Sequence, residues 1–172
     1  MPKRIITGHN AAGRSVIKIT DYGAQGLNNL SELWITDSVP ADNTGEADTT
    51  GRPVTLGPPD GGVRFRYFRV APESAAAAMD PDERRKLVAE RFAAMDAADA
   101  LVDTTRHPAM HKTRTVDYII LLSGRVTMLL DDDEVDLEPF DVVVQRGTNH
   151  AWVNHGEEEA LLIAVLIDAA AV

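Results

Sequence analysis

Histidines are the residues of this chain with the clearest chemical potential, and four of its five histidines lie close together near one end: His107, His111, His150 and His155. The chain has no cysteine, which excludes a thiol nucleophile, a zinc-thiolate site and an iron–sulfur cluster. Any metal must therefore be held by His, Asp, Glu or water. We predict that the chemistry is concentrated between His107 and Asn154.

The spacing around His111 favours a shared face. In an extended strand, side chains alternate between faces, so His111, Thr113, Thr115 and Asp117 would project from one side. A β-barrel can bring His150 opposite His111 and Asp117. Two imidazoles and one carboxylate suit a divalent transition metal and leave coordination positions for water and substrate. The alternative is that His111 and Asp117 form a buried, hydrogen-bonded His–carboxylate pair with a structural role.

Two stretches of the sequence resemble the paired motifs of the cupin superfamily. They read His111-x-Thr113-x3-Asp117-x6-Gly124 and Gly147-x2-His150-x3-Asn154. The resemblance is good over residues 105–168 and loose over 1–70. It implies an all-β fold, the cupin double-stranded β-helix or jelly-roll barrel, with N-terminal strands and one inserted helix at about 81–102. It also implies a dimer with a metal inside the barrel.

The resemblance assigns ligand positions residue by residue. His111 takes the first histidine position, Asp117 the glutamate position and His150 the histidine position of the second motif. Thr113 occupies the second histidine position and is a poor ligand. The expected site therefore has at most three ligands, His111, Asp117 and His150, for Fe, Mn, Ni or Zn. The other possibility is a metal-free pocket in which these three residues bind a ligand directly.

Four further residues are candidates for substrate binding: Thr113, Gln145, Trp152 and Tyr118. Core packing is the alternative for the two aromatic residues.

The remaining polar residues of the region have more limited predicted roles. His107 is either a substitute ligand at the barrel mouth or a surface residue. His155 should lie on the surface, and Asn154 should be structural.

The rest of the chain must position these side chains. Short strands are expected at 4–7, 15–20, 30–36, 52–56 and 63–70, and six more after Arg106. In the strand at 63–70, Arg64 and Arg66 share a face that is either half exposed or paired with acidic neighbours. The helix at 81–102 has Asp80 as its predicted N-cap and Pro81 at its first position. It is either a packing element or a lid over a pocket.

We expect one domain over 1–172, with N-terminal strands or a dimer arm at 1–70, a helical insertion at 71–106 and the core barrel at 107–168. The formal net charge of −10 argues against nucleic acid or an anionic membrane as a partner. No targeting segment is recognised at the start, and no apolar run is long enough to span a membrane. A cytoplasmic homodimer with a small-molecule ligand is predicted.

The predicted function is that of a metal-dependent enzyme on an oxygen-bearing organic substrate. His111, Asp117 and His150 would be both its catalytic residues and its metal ligands. Isomerase, lyase, decarboxylase and dioxygenase reactions all remain open, because a fold does not determine a reaction. The alternative is a non-catalytic cupin, with or without metal, that binds a small molecule.

Overall fold

The computed structural model describes residues 3–27 and 29–171. Its strands in the N-terminal part are β1 (Arg4–His9), β2 (Ser15–Asp21), β3 (Ala24–Gln25), β4 (Leu30–Thr36) and β5 (Val63–Val70). The C-terminal strands are β6 (Thr115–Ser123), β7 (Val126–Leu129), β8 (Glu134–Leu137), β9 (Val142–Arg146), β10 (Ala151–Val153) and β11 (Ala160–Asp168). The helix α1 (Pro81–Ala93) lies between these two sets of strands. Short 3-10 turns occur at Thr49–Gly51, Glu73–Ala76 and Ala98–Ala100.

The strands form two main sheets and a separate hairpin. The larger sheet has six strands in the order β3-β4-β5-β11-β6-β9, and the smaller has the order β10-β7-β8. The hairpin pairs β1 with β2, and all of these ladders are antiparallel. The central strand β11 pairs with β5 on one side and with β6 on the other.

The core lies between the two main sheets. Alternate residues of β6 and β11 are buried, including Ile119, Leu121 and Leu162, and they pack with Val126 of β7 and Leu137 of β8. This period of two is the pattern of a strand with one buried face. The sandwich confirms the predicted all-β jelly-roll class. Within the described residues, the ladders do not join into one continuous hydrogen-bonded barrel.

The inserted helix is shorter than the sequence predicts. Asp80 caps α1 as expected, since its carboxylate accepts hydrogen bonds from the backbone N–H groups of Asp82 and Glu83 at 2.9 and 3.2 Å. The helix ends at Ala93 instead of continuing to 102, because the chain turns at Asp96, where φ is +55°. No helix in the described ranges is long and apolar enough to span a membrane.

The turn buries a second apolar cluster at one end of the sandwich. Phe92, Met95, Ala97 and Ala100 form its centre. The backbone N–H of Lys112 donates to Ala100 O at 2.9 Å, which ties the insertion to the segment before β6. The helical insertion is therefore packed against the end of the barrel where the site residues lie.

The predicted strand at 52–56 is wrong. This segment is in no ladder, although it is close to β5. Its carbonyls are bound by side chains instead: Arg66 donates to Thr55 O at 2.7 Å and to Leu56 O at 3.2 Å. The N–H of Leu56 donates to Met95 O at 2.9 Å. Buried backbone groups must find partners, and here the partners come from arginine side chains and the helical insertion.

Candidate functional site

His111 and His150 face each other at the end of the sandwich. Each backbone N–H donates to the other residue's carbonyl at 2.9 Å, which forms an isolated antiparallel bridge. The centroids of the two imidazole rings are 4.3 Å apart. The chain thus brings together two of the three residues that the sequence predicts for the site.

Local backbone carbonyls orient both imidazoles. His111 Nδ1 lies 2.9 Å from Ala109 O, and His150 Nδ1 lies 2.9 Å from Thr148 O. A carbonyl oxygen only accepts, so each of these bonds requires the proton on Nδ1. The neutral ring then keeps its lone pair on Nε2. His111 is consequently held in the tautomer that can accept a proton or bind a ligand at Nε2. His150 Nδ1 also lies 3.1 Å from the amide nitrogen of Gln145, a donor that favours the other tautomer.

The surroundings of the pair are largely apolar. The ring of Phe92 contacts His111 edge-on at 5.0 Å, and the ring of Trp152 contacts His150 in the same manner at 5.7 Å. Burial lowers the pKa of His111, and it lowers the pKa of His150 to about 3, with the charge of His111 as a further cause. Both imidazoles are therefore uncharged at neutral pH.

Gln145, a predicted substrate-binding residue, lies beside His150. Only 1% of its surface is exposed. Its amide nitrogen donates to Thr148 O at 2.9 Å and lies 3.1 Å from His150 Nδ1, and its oxygen accepts from the N–H of Gly147 at 3.0 Å. These bonds make Gln145 a support for the turn that carries His150.

Asp117 projects from the buried face of β6. Its position in the ladder is opposite Gln145 of β9 and Leu166 of β11. Burial raises the pKa of Asp117 to about 6, against the opposing effects of a hydrogen bond from Thr115 and the charge of Arg66. Its Oδ1 atom is buried and has no hydrogen-bond partner.

The same face carries charged residues that the sequence interpretation did not assign to a site. Glu32 on β4 and Arg66 on β5 are ladder partners, and Arg66 donates to Glu32 Oε1 at 2.6 Å. Arg64 Nη1 is 3.2 Å from the same oxygen but lacks hydrogen-bond geometry. Burial lowers the pKa of Arg66 to about 10, so it stays charged at neutral pH. The alternation of Arg64 and Arg66 in the sequence indicated a shared face that could pair with acidic neighbours. The acidic partner of both arginines is Glu32.

The predicted three-ligand metal centre is not assembled. No group of three or more His, Asp or Glu side chains suitable for a metal ion occurs within residues 3–27 and 29–171. The two imidazoles face each other, but Asp117 is engaged by Thr115 and lies in the field of Arg66. As arranged here, the donor set does not fit a His–Asp–His centre.

The other predicted substrate-binding residues lie in different places. Tyr118 is 49% exposed on the opposite face of β6 from Asp117, so it does not line the same interior. Trp152 packs between His150 and Phe68, whose ring centroid is 5.9 Å away. The Thr113 hydroxyl lies 2.7 Å from that of Thr115, which places it one hydrogen bond from the partner of Asp117.

His107 takes part in a separate interaction network. Its Nε2 lies 2.8 Å from Arg84 Nη2 and 3.5 Å from Glu73 Oε1, so it contacts two parts of the helical insertion. Burial lowers its pKa.

The two polar residues at the end of β10 match their predicted roles. His155 is exposed. Asn154 is buried and donates to the carbonyls of Val70 and Glu158 at 2.9 and 2.8 Å, so its role is structural.

Comparison with known proteins gives a consistent result. Residues 102–166 match the Cupin domain family model. A protein of the phomopsin biosynthesis cluster, protein C' of Diaporthe leptostromiformis, is 30% identical over 161 residues, which cover 89% of this chain and 70% of that protein. The chain belongs to the cupin superfamily.

Two further similarities concern a curated protein and a solved structure. A cupin-domain-containing oxidoreductase of Aspergillus ruber is 26% identical over 177 residues, covering 96% of this cupin and 71% of that protein. A cupin 2 conserved barrel domain protein of Salinispora arenicola has 18% identity and a TM-score of 0.42, with 84% of this chain and 81% of that chain covered.

Proposed function

We propose that this cupin is an enzyme that binds a small oxygen-bearing organic molecule beside His111, His150 and Asp117 and transfers protons to and from it. The observation that carries the proposal is the arrangement of the two imidazoles. His150 is buried and His111 half-buried, both are uncharged, their ring centroids are 4.3 Å apart, and each has Nδ1 within hydrogen-bond distance of a carbonyl. Strongly perturbed titratable groups gathered in one interior are typical of catalytic sites.

The residues have complementary roles in proton transfer. A neutral imidazole accepts a proton at Nε2, from a hydroxyl or from a carbon next to a carbonyl group. A charge on His111 lowers the pKa of His150, so protonation of one neutral ring disfavours protonation of the other. With a pKa of about 6, Asp117 exchanges a proton near neutral pH. The proposed enzyme thus has a base in the imidazole pair and an acid in Asp117, both in the interior of the fold.

This assignment narrows the reaction classes. Isomerisation by a proton shift requires only removal and return of a proton. Elimination of water requires removal of a carbon-bound proton and protonation of the hydroxyl, which leaves as water when its C–O bond breaks. His111, His150 and Asp117 can perform these proton transfers themselves. The names of the relatives, a biosynthesis cluster protein and an oxidoreductase, support conversion of a small organic molecule over storage. We therefore propose an isomerase or lyase type of reaction.

Exchange of carbon-bound hydrogen tests the proposal. We expect the protein to accelerate deuterium incorporation from heavy water into a small oxo acid such as pyruvate or oxaloacetate, followed by NMR. Loss of the base should slow exchange by about 100-fold or more in His111→Ala and His150→Ala. His155→Ala is the matched control, because His155 is exposed, and it should behave like wild type. Equal exchange rates in wild type and His150→Ala would refute the assignment.

Metal dependence needs a separate measurement. The sequence-based hypothesis of Fe, Mn, Ni or Zn held by His111, Asp117 and His150 predicts near-stoichiometric metal after purification without chelator. It also predicts loss of that metal in His150→Ala but not in His155→Ala. Elemental analysis of the three proteins decides this. If metal is absent from the wild type even after the four ions are supplied, the three-ligand hypothesis is wrong.

The homodimer also remains a proposal. The outer face of β6 and β9 exposes Tyr118, Val142 and Val144 by 49%, 63% and 55%, and an apolar strip of this kind favours contact with a second copy. Sedimentation that shows a monomer at micromolar concentration would contradict it. A cytoplasmic location stays a prediction from the sequence.

A further inference from the structure

A pocket opens beside the buried charged residues of the larger sheet. Its volume is about 330 Å³, and its walls include Leu56, Gly57, Thr113 and Thr115. This is within the range of small-molecule sites. His111 and His150 do not line it, so it is a feature additional to the imidazole pair.

Behind this pocket lies a charged cluster of four residues with unfulfilled hydrogen bonding. Its members are Glu32, Arg64, Arg66 and Asp117, of which between 1% and 4% is exposed. Two donors, Arg64 Nη1 and Arg66 Nε, have no hydrogen-bond partner, and neither have two acceptors, Glu32 Oε2 and Asp117 Oδ1. Buried polar atoms without partners are costly and rare, so four in one cluster indicate that something else satisfies them.

The pocket and the charged cluster touch along two walls. On one wall, Thr115 lines the pocket and its hydroxyl hydrogen-bonds to Asp117. On the other, Arg64 Nε donates to Gly57 O at 3.1 Å, and Arg66 Nη1 donates to Leu56 O at 3.2 Å. Residues of the pocket wall therefore bond directly to Arg64, Arg66 and Asp117.

The wall formed by residues 52–57 is the one that a ligand could displace to reach the arginines. The segment at 52–57 belongs to no ladder, and its hydrogen bonds with the cluster come from arginine side chains, which donate to its backbone carbonyls and to the Thr55 hydroxyl. A carboxylate is a stronger partner for a guanidinium than a neutral carbonyl is. A ligand carboxylate can therefore replace Leu56 O and Gly57 O on Arg66 and Arg64.

The unpaired acceptor atoms also indicate that the ligand needs a hydrogen-bond donor group in addition to its carboxylate. Glu32 Oε2 and Asp117 Oδ1 require donors, which a simple carboxylate lacks. The pocket lining contains more acidic residues than basic ones: Asp60, Asp96, Asp99 and Asp168 against Lys112 and Arg114. A bare anion is disfavoured by this rim, whereas a carboxylate that carries an adjacent hydroxyl or ammonium group matches both the cluster and the rim.

We propose that the pocket and the charged cluster form a binding site for a small α-hydroxy or α-amino acid. Its carboxylate binds Arg64 and Arg66, and its neighbouring O–H or N–H group donates to Glu32 or Asp117. The identification of this acid as the substrate class rests on the proposed function, but the binding site itself does not. The site is an addition to the imidazole pair and shares Asp117 with it.

Three probes with the same carbon skeleton test the site: propionate, lactate and alanine. The readout is the side-chain Nε–H resonance of Arg66 in the ¹⁵N-labelled wild-type protein, because that atom is unpaired. The matched control is Arg4, whose Nε donates to Asp21 at 2.7 Å. We expect lactate or alanine to shift the Arg66 resonance saturably while Arg4 is unchanged. Propionate should bind about tenfold more weakly, because it leaves the buried acceptors without donors.

The comparison of lactate with alanine distinguishes the two kinds of donor. Tighter binding of alanine assigns the ammonium group, and tighter binding of lactate assigns the hydroxyl. Equal binding of all three probes would overturn the proposal, since it would indicate a plain anion site. No shift of Arg66 at tens of millimolar of any probe would also overturn it.

A conservative variant adds an independent test. Arg66→Lys keeps a positive charge but removes the Nε–H donor, and it should weaken lactate and alanine binding by at least about tenfold. Arg4→Lys is the matched control and should leave binding unchanged. If Arg66→Lys does not fold, the wild-type resonance still decides. If the probes bind but the protein does not catalyse deuterium exchange, this binding site is supported and the proposed proton-transfer enzyme is refuted. If the protein catalyses exchange but no probe binds, this binding site alone is refuted.

Discussion

Arg4 and Arg66 are both buried, with 6% and 2% of their surfaces exposed, but they are paired in different ways. Arg4 binds two carboxylates, Asp21 and Asp48, with Nη2 at 2.6 Å from each. Arg66 shares a single carboxylate, Glu32, with Arg64. The acidic partners raise the pKa of Arg4, while burial lowers that of Arg66.

The difference separates a structural ion pair from a candidate site. The Arg4 network connects β1 to the end of β2, to β4 and to the segment before Thr49, and no atom of Arg4 is left unpaired within the described residues. In the charged cluster, both the arginines and the carboxylates have buried atoms without a hydrogen-bond partner. A buried charge with complete pairing holds a fold together, whereas an incompletely paired one has capacity for a ligand.

Removal of the shared carboxylate should have the largest effect. Glu32→Gln leaves two guanidiniums buried beside each other, and we expect a loss of about 3–5 kcal/mol in the free energy of unfolding. Urea denaturation measures this. The matched change at the other network, Asp48→Asn, should cost only about 1 kcal/mol, because Asp48 is partly exposed and Arg4 keeps Asp21. Equal losses in the two variants would show that the networks do not differ as described.

Acid should affect the two networks in opposite directions. The pKa of Asp48 is lowered by Arg4, so Asp48 contributes stability that is present above its unfolded value of 3.8 and is lost as the pH falls below it. The pKa of Asp117 is raised to about 6, so the folded protein binds the extra proton between pH 6 and 3.8. Acidification from pH 6 to 3.8 therefore removes the free-energy cost of keeping a charged Asp117 buried, and this contribution makes the folded state more stable.

Substitution of Asp117 makes its contribution measurable. His150 opposes Asp117, since its pKa falls from 6.5 to about 3 on folding and it destabilises the folded state as the pH drops between those values. Asp117→Asn should therefore steepen the acid loss of stability between pH 6 and 4 by up to about 1.4 kcal/mol per pH unit. Denaturation at a series of pH values tests this. An unchanged slope would mean that Asp117 is not protonated in the folded state.

The smallest expected effect concerns the wall between the pocket and the charged cluster. Thr115→Val keeps the side-chain shape but removes the hydroxyl that lowers the pKa of Asp117. We expect a loss of about 1 kcal/mol in stability and a further rise in the pKa of Asp117, measured by NMR titration of its carboxyl group. Thr113→Val should leave that pKa closer to wild type, because Thr113 contacts Thr115. A fall in the pKa of Asp117 in Thr115→Val would contradict the assigned bond.

Local patterns predicted much of the fold. Alternating apolar residues located β6 and β11, Asp80 and Pro81 located the start of α1, and the motif spacing located His111 and His150. These features depend on neighbours in sequence, so a single chain reveals them. The division of 1–172 into an arm, an insertion and a barrel core within one domain remains a prediction.

Contacts between residues far apart in the sequence account for most of the features that were not predicted. Glu32 and Arg66 are 34 positions apart, and nothing local marks Glu32 as the partner of β5. The segment at 52–56 had a strand-like composition, but its carbonyls are bound by side chains. Tyr118 was placed in the pocket although it follows Asp117 directly, and strand alternation puts adjacent residues on opposite faces.

The contact between Phe92 and His111 has a consequence for how this family can diversify. Phe92 belongs to the helical insertion, whereas His111 belongs to the first motif. The insertion thus supplies part of the apolar medium that keeps the histidine uncharged. Two cupins with identical motif histidines can therefore differ in the basicity of those histidines when their insertions differ, so reactivity can evolve in a segment that contains no motif residue.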